Sequence, residues 1–290
     1  MRPQVKGAAT VSLSAERVAI ANRAIQQTFE QASIAWQAVP HWDTGDPAQV
    51  MVRNDVTFAI AGVQAPPVPQ PGTAPLGADP IDLVAHHVRF QMTLAQTTAP
   101  TPDALLAGVL SRAVDLAQRF DDSVLATLSA KAVASASSWY PTLAAPAPDV
   151  GKILTALIEG RRLLEDSGYR APSCLIASTA HFTDLSQWVG SDIATEGLLA
   201  GGNVSSLHRA TQLDDVGGVK LMLMLGRRQQ IAPGSAGAAS PGEEPVDLAI
   251  SVAPSLEVIG ENAAGAIELA VRIRFATRVK DERGVVVFHT

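Results

Sequence analysis

The sequence predicts an α+β protein, and three features of the chain lead to this prediction. From about residue 101 a long helical pattern appears, in which apolar side chains recur every three or four positions. Earlier in the chain, a proline-rich stretch joins two extended segments. The last 45 residues have the composition of strands separated only by turn residues. Helices and strands therefore both contribute to the predicted fold.

The first predicted element is a helix over residues 15–38. Ser14 is a favourable N-cap, because its side-chain oxygen can accept a hydrogen bond from the first turn. Apolar residues then fall on one helical face: Val18, Ile25, Phe29, Ala32 and Trp36. The helix is predicted to end before Pro40, and residues 41–47 are predicted to form a turn, since Asp, Gly and Pro favour bends.

Two extended segments, residues 50–63 and 84–94, flank the proline-rich stretch. The second segment alternates apolar Val88, Phe90 and Met92 with polar residues, as a half-buried strand does. The prolines of residues 65–80 cannot donate hydrogen bonds to a strand ladder. Together these segments predict a protruding hairpin with a proline-rich tip.

The longest predicted helix has about 27 residues, well above the usual length of about 11. Thr101, Pro102 and Asp103 are residue types favoured at a helix N-terminus. The apolar face that follows contains Leu105, Leu106, Val109, Leu110, Ala113, Leu116, Ala117, Phe120, Val124 and Leu128.

A helix-strand-helix pattern follows this long helix. Asp149 is a predicted N-cap, and Gly168 suits the left-handed position after the last helical turn. Residues 173–177 are predicted to form a buried strand and residues 179–189 a helix. A further strand is predicted at residues 219–225.

The chain is predicted to close in a sheet. Residues 231–245 are too rich in Gly, Ser and Pro to pack, and we expect them to form an exposed loop. Four strands then follow, at residues 246–251, 256–259, 267–275 and 285–288.

The charge balance is acidic, with 22 Lys and Arg against 28 Asp and Glu. Proteins that grip nucleic acid draw on clustered basic residues, so sequence-specific binding of nucleic acid is not expected. Enclosure of nucleic acid within an assembly remains compatible with this balance. The sequence contains neither a secretory signal pattern nor a run of about 20 apolar residues, which predicts a cytosolic protein without a membrane span.

One pair of residues in the sequence is a candidate for acid-base chemistry. No phosphate-binding loop, dinucleotide turn, nucleophile elbow or zinc-protease helix occurs in the sequence. His181 and Asp184 would lie on neighbouring helical turns and could form an acid-base pair, or Asp184 could be a solvated or capping carboxylate. Cys174 is interpreted as a buried small hydrophobe. No catalytic, cofactor or metal site is predicted.

The side-by-side charged pairs are interpreted as ordinary surface features. The carboxylate pairs at 121–122, 214–215 and 243–244 are expected in solvated turns. The arginine pairs at 161–162 and 227–228 are expected in surface or intersubunit ion pairs.

The order of these elements resembles the tailed-phage major capsid fold of the Hong Kong 97 type, which encapsulin shell proteins share. Residues 86–96 and 101–125 look like the strand that enters the spine helix of this family. Residues 149–187 look like the helix, glycine turn, strand and helix of its axial domain, and residues 246–279 are similar to its closing strands.

The resemblance implies a division of the chain into five regions. They are an N-terminal arm and helix (1–45), an extended hairpin loop (46–94), a peripheral domain with the spine helix (95–148), an axial domain (149–245), and closing strands of both domains (246–290). Intersubunit contacts are then expected at five residues of the extended loop: Arg53, Phe58, Pro66, Pro69 and Arg89.

The resemblance also implies a function. The chain would be the major capsid protein of a tailed bacteriophage, a non-enzymatic structural protein that self-assembles as hexamers and pentamers into an icosahedral head around double-stranded DNA, without sequence specificity. Separate scaffolding and cement or decoration proteins are implied partners, and no membrane is involved. Assembly would take place in the host bacterial cytoplasm, and the final location would be the virion capsid.

Two features bear on the subfamily. Some relatives crosslink through a lysine in the extended loop, whereas this chain has no lysine between Lys6 and Lys131, so the loop cannot form that bond. The alternative is an encapsulin, whose shell encloses a cargo enzyme. The N-terminal region departs from the usual encapsulin pattern of an early Trp-bearing acidic helix, which favours the phage interpretation.

Overall fold

The computed structural model describes residues 13–53, 80–134, 150–186, 188–189, 192–193, 195–238 and 244–289. The helices in this part of the chain are α1 (Ala15–Ala32), α2 (Ile34–Ala38), α3 (Leu94–Thr98), α4 (Asp103–Ala134), α5 (Val150–Asp166), α6 (Thr179–Leu185) and α7 (Thr195–Gly201). The strands are β1 (His41–Asp43), β2 (Met51–Arg53), β3 (Pro80–Asp82), β4 (Val84–Thr93), β5 (Ala171–Ala177), β6 (Trp188–Val189), β7 (Asp192–Ile193), β8 (Val204–Arg209), β9 (Leu221–Arg227), β10 (Val246–Glu261), β11 (Ala266–Val279) and β12 (Val285–His289). The predicted α+β class is confirmed.

The larger strands form two four-stranded sheets, with strand orders β1-β10-β11-β4 and β12-β9-β5-β8. In the first sheet, β1 runs parallel to β10. In the second sheet, β5 pairs with β8 in parallel and with β9 antiparallel, and β12 pairs antiparallel with β9. Two short antiparallel ribbons, β2-β3 and β6-β7, complete the described strands.

The chain divides into two compact units. The first unit comprises Met1–Ala32, Ala85–Arg119 and Val252–Arg274, and the second comprises Ser33–Val84, Phe120–Ser251 and Phe275–Thr290. In the first unit, the side chain of Arg17 donates hydrogen bonds to the carbonyls of Thr97 and Ala99, at the C-terminus of α3. The side chain of Asn22 accepts a hydrogen bond from the Leu256 amide at 2.7 Å, which ties α1 to β10.

The core of the second unit lies between α5 and the sheet β12-β9-β5-β8. Eleven buried residues form this cluster: Leu157, Leu164, Tyr169, Leu175, Ala177, Leu185, Leu198, Met222, Met224, Val286 and Phe288. Gly160 allows α5 to approach the sheet closely, because an added Cβ would lie 2.7 Å from the ring of Phe288. Gly168 ends α5 with φ of +90°, as the sequence predicts.

The predicted first helix is interrupted at Ser33. Ser33 has extended backbone angles, and its hydroxyl accepts a hydrogen bond from the Trp36 amide, so it starts the separate helix α2. The predicted turn at 41–47 is wrong for its first three residues, which pair with β10 as β1. The turn begins after them, where Gly45 has φ of +77°.

Three other predictions differ from the structure. The helix predicted over 179–189 ends at Leu185, and Trp188 pairs with Ile193 in the β6-β7 ribbon. The strands predicted at 246–251 and 256–259 are one continuous strand, β10. Parts of the predicted exposed loop at 231–245 are buried, since Ile231, Ala236 and Glu244 are 7%, 1% and 1% exposed.

Candidate assembly site at the base of the extended loop

The ribbon of β2 and β3 forms the base of the predicted extended loop. Its register places Met51 opposite Asp82, Val52 opposite Ile81, and Arg53 opposite Pro80. The loop residues between the two strands, 54–79, lie outside the described residues. Val50 and Leu83 extend the ribbon by one position, because the Leu83 amide donates to the Val50 carbonyl at 2.8 Å.

One face of this ribbon packs on the body of the second unit. Val52 is buried with Ala249 of β10 and Ala276 of β11. Trp42, Ile81 and Leu83 pack against this small cluster. The alternation of a β-strand turns Val52 inward and its neighbours outward. The ribbon is therefore anchored on one face and exposed on the other.

Apolar side chains on the outer face of the ribbon and beside the ribbon are exposed to solvent. Val50, Met51 and Val84 are 59%, 48% and 44% exposed. Pro80 and Asp82 are exposed on the same ribbon. Large exposed apolar residues that lie together are typical of a contact surface.

Beside the ribbon lies a buried ion cluster. The guanidinium of Arg278 makes two hydrogen bonds to the carboxylate of Asp247, at 2.6 Å and 2.7 Å. The ammonium of Lys280 lies 2.8 Å from the same carboxylate. The Arg278 guanidinium also lies over the indole of Trp42, 4.8 Å from the ring centre.

The ion cluster sets the charge state of Asp247. Burial alone would raise the pKa of Asp247, but hydrogen bonds and positive charge from Arg278 and Lys280 outweigh burial and lower it. The carboxylate is therefore ionised at neutral pH. Its two cationic partners compensate its removal from water.

Arg278 also reaches the ribbon itself. Its Nη1 donates a hydrogen bond of 3.0 Å to the backbone carbonyl of Arg53, the last described residue before the loop. One buried side chain thus connects β11, β10 and β2.

The structure places the five predicted contact residues in different situations. Arg53 lies at the end of β2, with its side chain exposed. Arg89 lies on β4 in the first unit and is also exposed. Phe58, Pro66 and Pro69 lie outside the described residues.

Sequence reasoning missed Arg278, Asp247 and Trp42. One signal was available, because Arg278 and Lys280 stand at alternate positions at the end of an apolar strand, where two charges on one face need a partner. Asp247, at the start of the preceding apolar strand, is the complementary charge. The pairing of β10 with β11 brings these charges together.

A second buried carboxylate, that of Asp121, binds the start of α2, the helix that precedes β1. Asp121 of α4 is 3% exposed and accepts hydrogen bonds from the Ser33 hydroxyl and the Ile34 and Ala35 amides, at 2.6 Å, 2.9 Å and 3.0 Å. Burial raises the pKa of Asp121 to about 6, although these three hydrogen bonds oppose the rise. The interpretation of Asp121 as a solvated turn residue is therefore wrong.

Two other predicted surface residues are buried as well. Arg227 is 3% exposed and donates to the Ala38 carbonyl at 2.7 Å. Glu244 is 1% exposed and accepts from the amides of Arg228 and Gln229. Asp214 accepts from the Thr179 amide at the start of α6. Arg161 and Arg162 do make the predicted surface ion pairs.

His181 of the candidate acid-base pair is hydrogen-bonded to Ser178. Nδ1 of His181 lies 2.7 Å from the hydroxyl of Ser178, which is itself buried and caps α6. Burial lowers the pKa of His181, with the charge of Asp184 opposing it. Burial also raises the pKa of the Cys174 thiol, which favours its protonated form.

Within the described ranges, no group of three or more His, Cys, Asp or Glu side chains is arranged to hold a metal ion. Nor is any helix among these residues long and apolar enough to cross a membrane.

No known protein family and no curated protein matches the sequence. Three-dimensional similarity is extensive. A virus-like particle protein from Pyrococcus furiosus has a TM-score of 0.64 and 11% identity, over 94% of this chain and 98% of that one. A structure from Mycobacterium phage Bobi has a TM-score of 0.53 and 16% identity, over 90% and 89%.

An encapsulin is also similar in structure. In the holo-SrpI encapsulin complex from Synechococcus elongatus PCC 7942, the similar chain has a TM-score of 0.50 and 13% identity, over 89% of this chain and 87% of that one. The similarity in each case extends over nearly the whole length of both chains. The chain therefore has the Hong Kong 97-type fold that the sequence predicts.

Proposed function

We propose that this chain is the major capsid protein of a tailed bacteriophage, whose copies assemble into the icosahedral head that encloses the genome. The single observation that carries the proposal is the fold, which extends over 94% of the chain in the comparison with the Pyrococcus furiosus virus-like particle. The β2-β3 ribbon adds support, because apolar residues are exposed on and beside it, as they are in an intersubunit contact.

In this proposal the subunits form hexamers and pentamers, and residues 46–94 reach a neighbouring subunit. Arg53, Phe58, Pro66, Pro69 and Arg89 would contact that neighbour. A stable contact between copies buries at least about 1,000 Å², and a shell subunit makes several such contacts. The peripheral and axial domains would comprise residues 95–148 and 149–245, with the last 45 residues closing both.

The remaining partners follow from the same proposal. The enclosed double-stranded DNA would be held without sequence specificity, in keeping with a net charge of −6. The extended loop has no lysine for a covalent crosslink, so noncovalent contact or a separate cement protein would stabilise the shell. A separate scaffolding protein would guide assembly in the host cytoplasm, and the mature subunit would reside in the virion.

The test removes the part of the loop that is expected to reach the neighbour. Deleting residues 64–79 and joining the ends with a short Gly-Ser linker should leave a folded subunit, because β2, β3 and the cluster around Val52 are kept. Circular dichroism should be unchanged, whereas electron microscopy should show no closed particles.

A Gly-Ser replacement of residues 64–79 with equal length is the control. It keeps the reach of the loop and changes only its sequence. Normal particles from the deletion variant would contradict the role of the extended loop.

An encapsulin shell is the second candidate, since the Synechococcus elongatus encapsulin has a similar fold. The two candidates differ in what they need for closure. Uniform closed particles from the chain expressed alone would favour an encapsulin, whereas capsomers or irregular shells would favour a phage protein that requires its scaffold.

A further inference from the structure

We infer that Arg278 is a positioning residue for assembly, which fixes the direction in which the extended loop leaves the body of the subunit. The inference rests on the proposed function. It is carried by the hydrogen bond from Arg278 to the Arg53 carbonyl, by the buried carboxylate that orients Arg278, and by the geometry of the β2-β3 ribbon.

The carbonyl of Arg53 lies on the side of β2 that does not pair with β3. Val50 and Leu83 are opposite each other and joined by a hydrogen bond of 2.8 Å, so they form a hydrogen-bonded pair of the antiparallel ladder. Hydrogen-bonded and non-hydrogen-bonded pairs alternate along such a ladder. Arg53, three positions after Val50, therefore belongs to a non-hydrogen-bonded pair with Pro80. Its carbonyl points away from β3, toward the side on which Arg278 lies.

The guanidinium of Arg278 is held in place by Asp247 and Trp42. Two of its nitrogens are fixed by Asp247 in a bidentate arrangement, which defines the plane of the guanidinium. The indole of Trp42 covers that plane at 4.8 Å. The Arg278 side chain is 5% exposed. The remaining nitrogen is consequently aimed at the Arg53 carbonyl by groups that do not belong to the ribbon.

The hydrogen bond from Arg278 to Arg53 gives the attachment of the ribbon a direction. The pairing of β2 with β3 holds Arg53 and Pro80 opposite each other but does not itself attach the ribbon to the body. The apolar contacts of Val52 resist displacement, but they are not directional. The hydrogen bond from Arg278 is directional and lies at the point where the chain enters residues 54–79. It therefore fixes the angle of the ribbon.

The test is Arg278→Lys, which keeps the positive charge beside Asp247 and removes the planar fork. A lysine acts as a point charge and cannot hold Asp247 with two nitrogens while donating to Arg53 with a third. The matched control is Arg272→Lys on the same strand. Arg272 pairs with Glu257 at 2.9 Å, and both side chains are at least 40% exposed.

Hydrogen exchange and assembly are measured on the full chain for both variants. In Arg278→Lys we expect the amides of β2 and β3 to exchange roughly tenfold faster, which corresponds to one lost charge-assisted hydrogen bond. We expect the fraction of subunits in closed particles to fall by about the same factor, with only a small change in the unfolding midpoint. Arg272→Lys should match the parent protein in all three measurements.

The inference is overturned if Arg278→Lys assembles as the parent does, or if its exchange rises equally throughout the second unit. If Arg278→Lys does not fold, Trp42→Leu decides the question, because it removes the stacking surface and keeps both ionic partners. Normal assembly of Trp42→Leu would overturn the inference. If the parent itself never forms particles, the proposed function fails, while the exchange result still tests the contact between Arg278 and β2.

Discussion

Asp121 shows how one side chain can organise a distant segment. Its carboxylate lies on α4 and receives three donors from residues 33–35, which are 86 to 88 residues earlier in the chain. The hydroxyl of Ser33 makes two hydrogen bonds, since it donates to Asp121 and accepts from the Trp36 amide. The start of α2 is thus fixed by Asp121.

The raised pKa of Asp121 predicts a specific pH dependence. Its folded pKa of about 6 exceeds the ordinary value of 3.8, so the folded state binds the proton more tightly than the unfolded state. The resulting stability is fully present below pH 3.8 and is lost as the pH rises through about 6. Relative to Asp121→Asn, the parent should gain up to about 3 kcal/mol of unfolding free energy between pH 7 and pH 4.

This difference is measured by denaturant unfolding of unassembled subunits at a series of pH values. Groups common to both proteins cancel in the comparison. Parallel stability curves for the parent and Asp121→Asn would show that the pKa of Asp121 is not raised.

The close packing around Gly284 predicts that a larger residue at this position destabilises the fold. An added Cβ at this position would clash with the ring of Pro245 and lie 2.8 Å from the ring of Tyr169. Because a proline ring and a buried tyrosine have little room to move, Gly284→Ala should cost about 1–3 kcal/mol of unfolding free energy.

Gly197→Ala is the control for this substitution. An added Cβ on the exposed side of α7 meets no atom within 4 Å, and alanine favours a helix over glycine by up to about 1 kcal/mol. Equal losses of stability in the two variants would contradict the steric account.

The sequence was a poor guide to these individual residues. Asp121, Arg227 and Glu244 stand next to other charged residues and were expected in solvent, yet all three are buried. Their partners lie far away in the sequence, so local pattern carried no information about their burial. Gly168 was predictable because the left-handed turn after a helix depends only on its neighbours.

At the scale of elements, the strength of a local pattern decided what could be predicted. The long helix was expected from its apolar spacing, and α4 begins within two residues of the expected start. Strand β8 was missed because Ser205, Ser206 and His208 give it no apolar alternation, although it pairs in parallel with β5. The apolar spacing of Phe182, Leu185 and Trp188 continues past the true end of α6 at Leu185.

The attachment of α1 in the first unit predicts a local effect. Arg17 donates hydrogen bonds to the last carbonyls of α3. Its positive charge also interacts favourably with the negative end of the helix dipole. In Arg17→Ala we expect the amides of α3 and of the first turns of α1 to exchange roughly tenfold faster. Arg23→Ala, at an exposed position of the same helix, should leave these rates unchanged.

Mass spectrometry of exchanged peptides makes this measurement. Identical exchange in Arg17→Ala and Arg23→Ala would show that the contact with α3 does not hold α1.

At the scale of the whole molecule, the order of elements was more informative than any residue. The N-terminal helix, the paired strands β2 and β3, the long helix and the closing strands all occur in the expected order. The division into two units could not be predicted, because α4, β10 and β11 each contribute to both of them. Such shared elements give no break in composition that would mark a boundary.

Negative-stain electron microscopy of the chain expressed alone, beside size-exclusion chromatography, shows whether its copies assemble as shell subunits do. At high protein concentration with a crowding polymer, a shell subunit should form hexameric or pentameric rings, curved sheets or closed particles. A discrete monomer or dimer, with no larger species under any of these conditions, would contradict the proposal that the chain is a shell subunit.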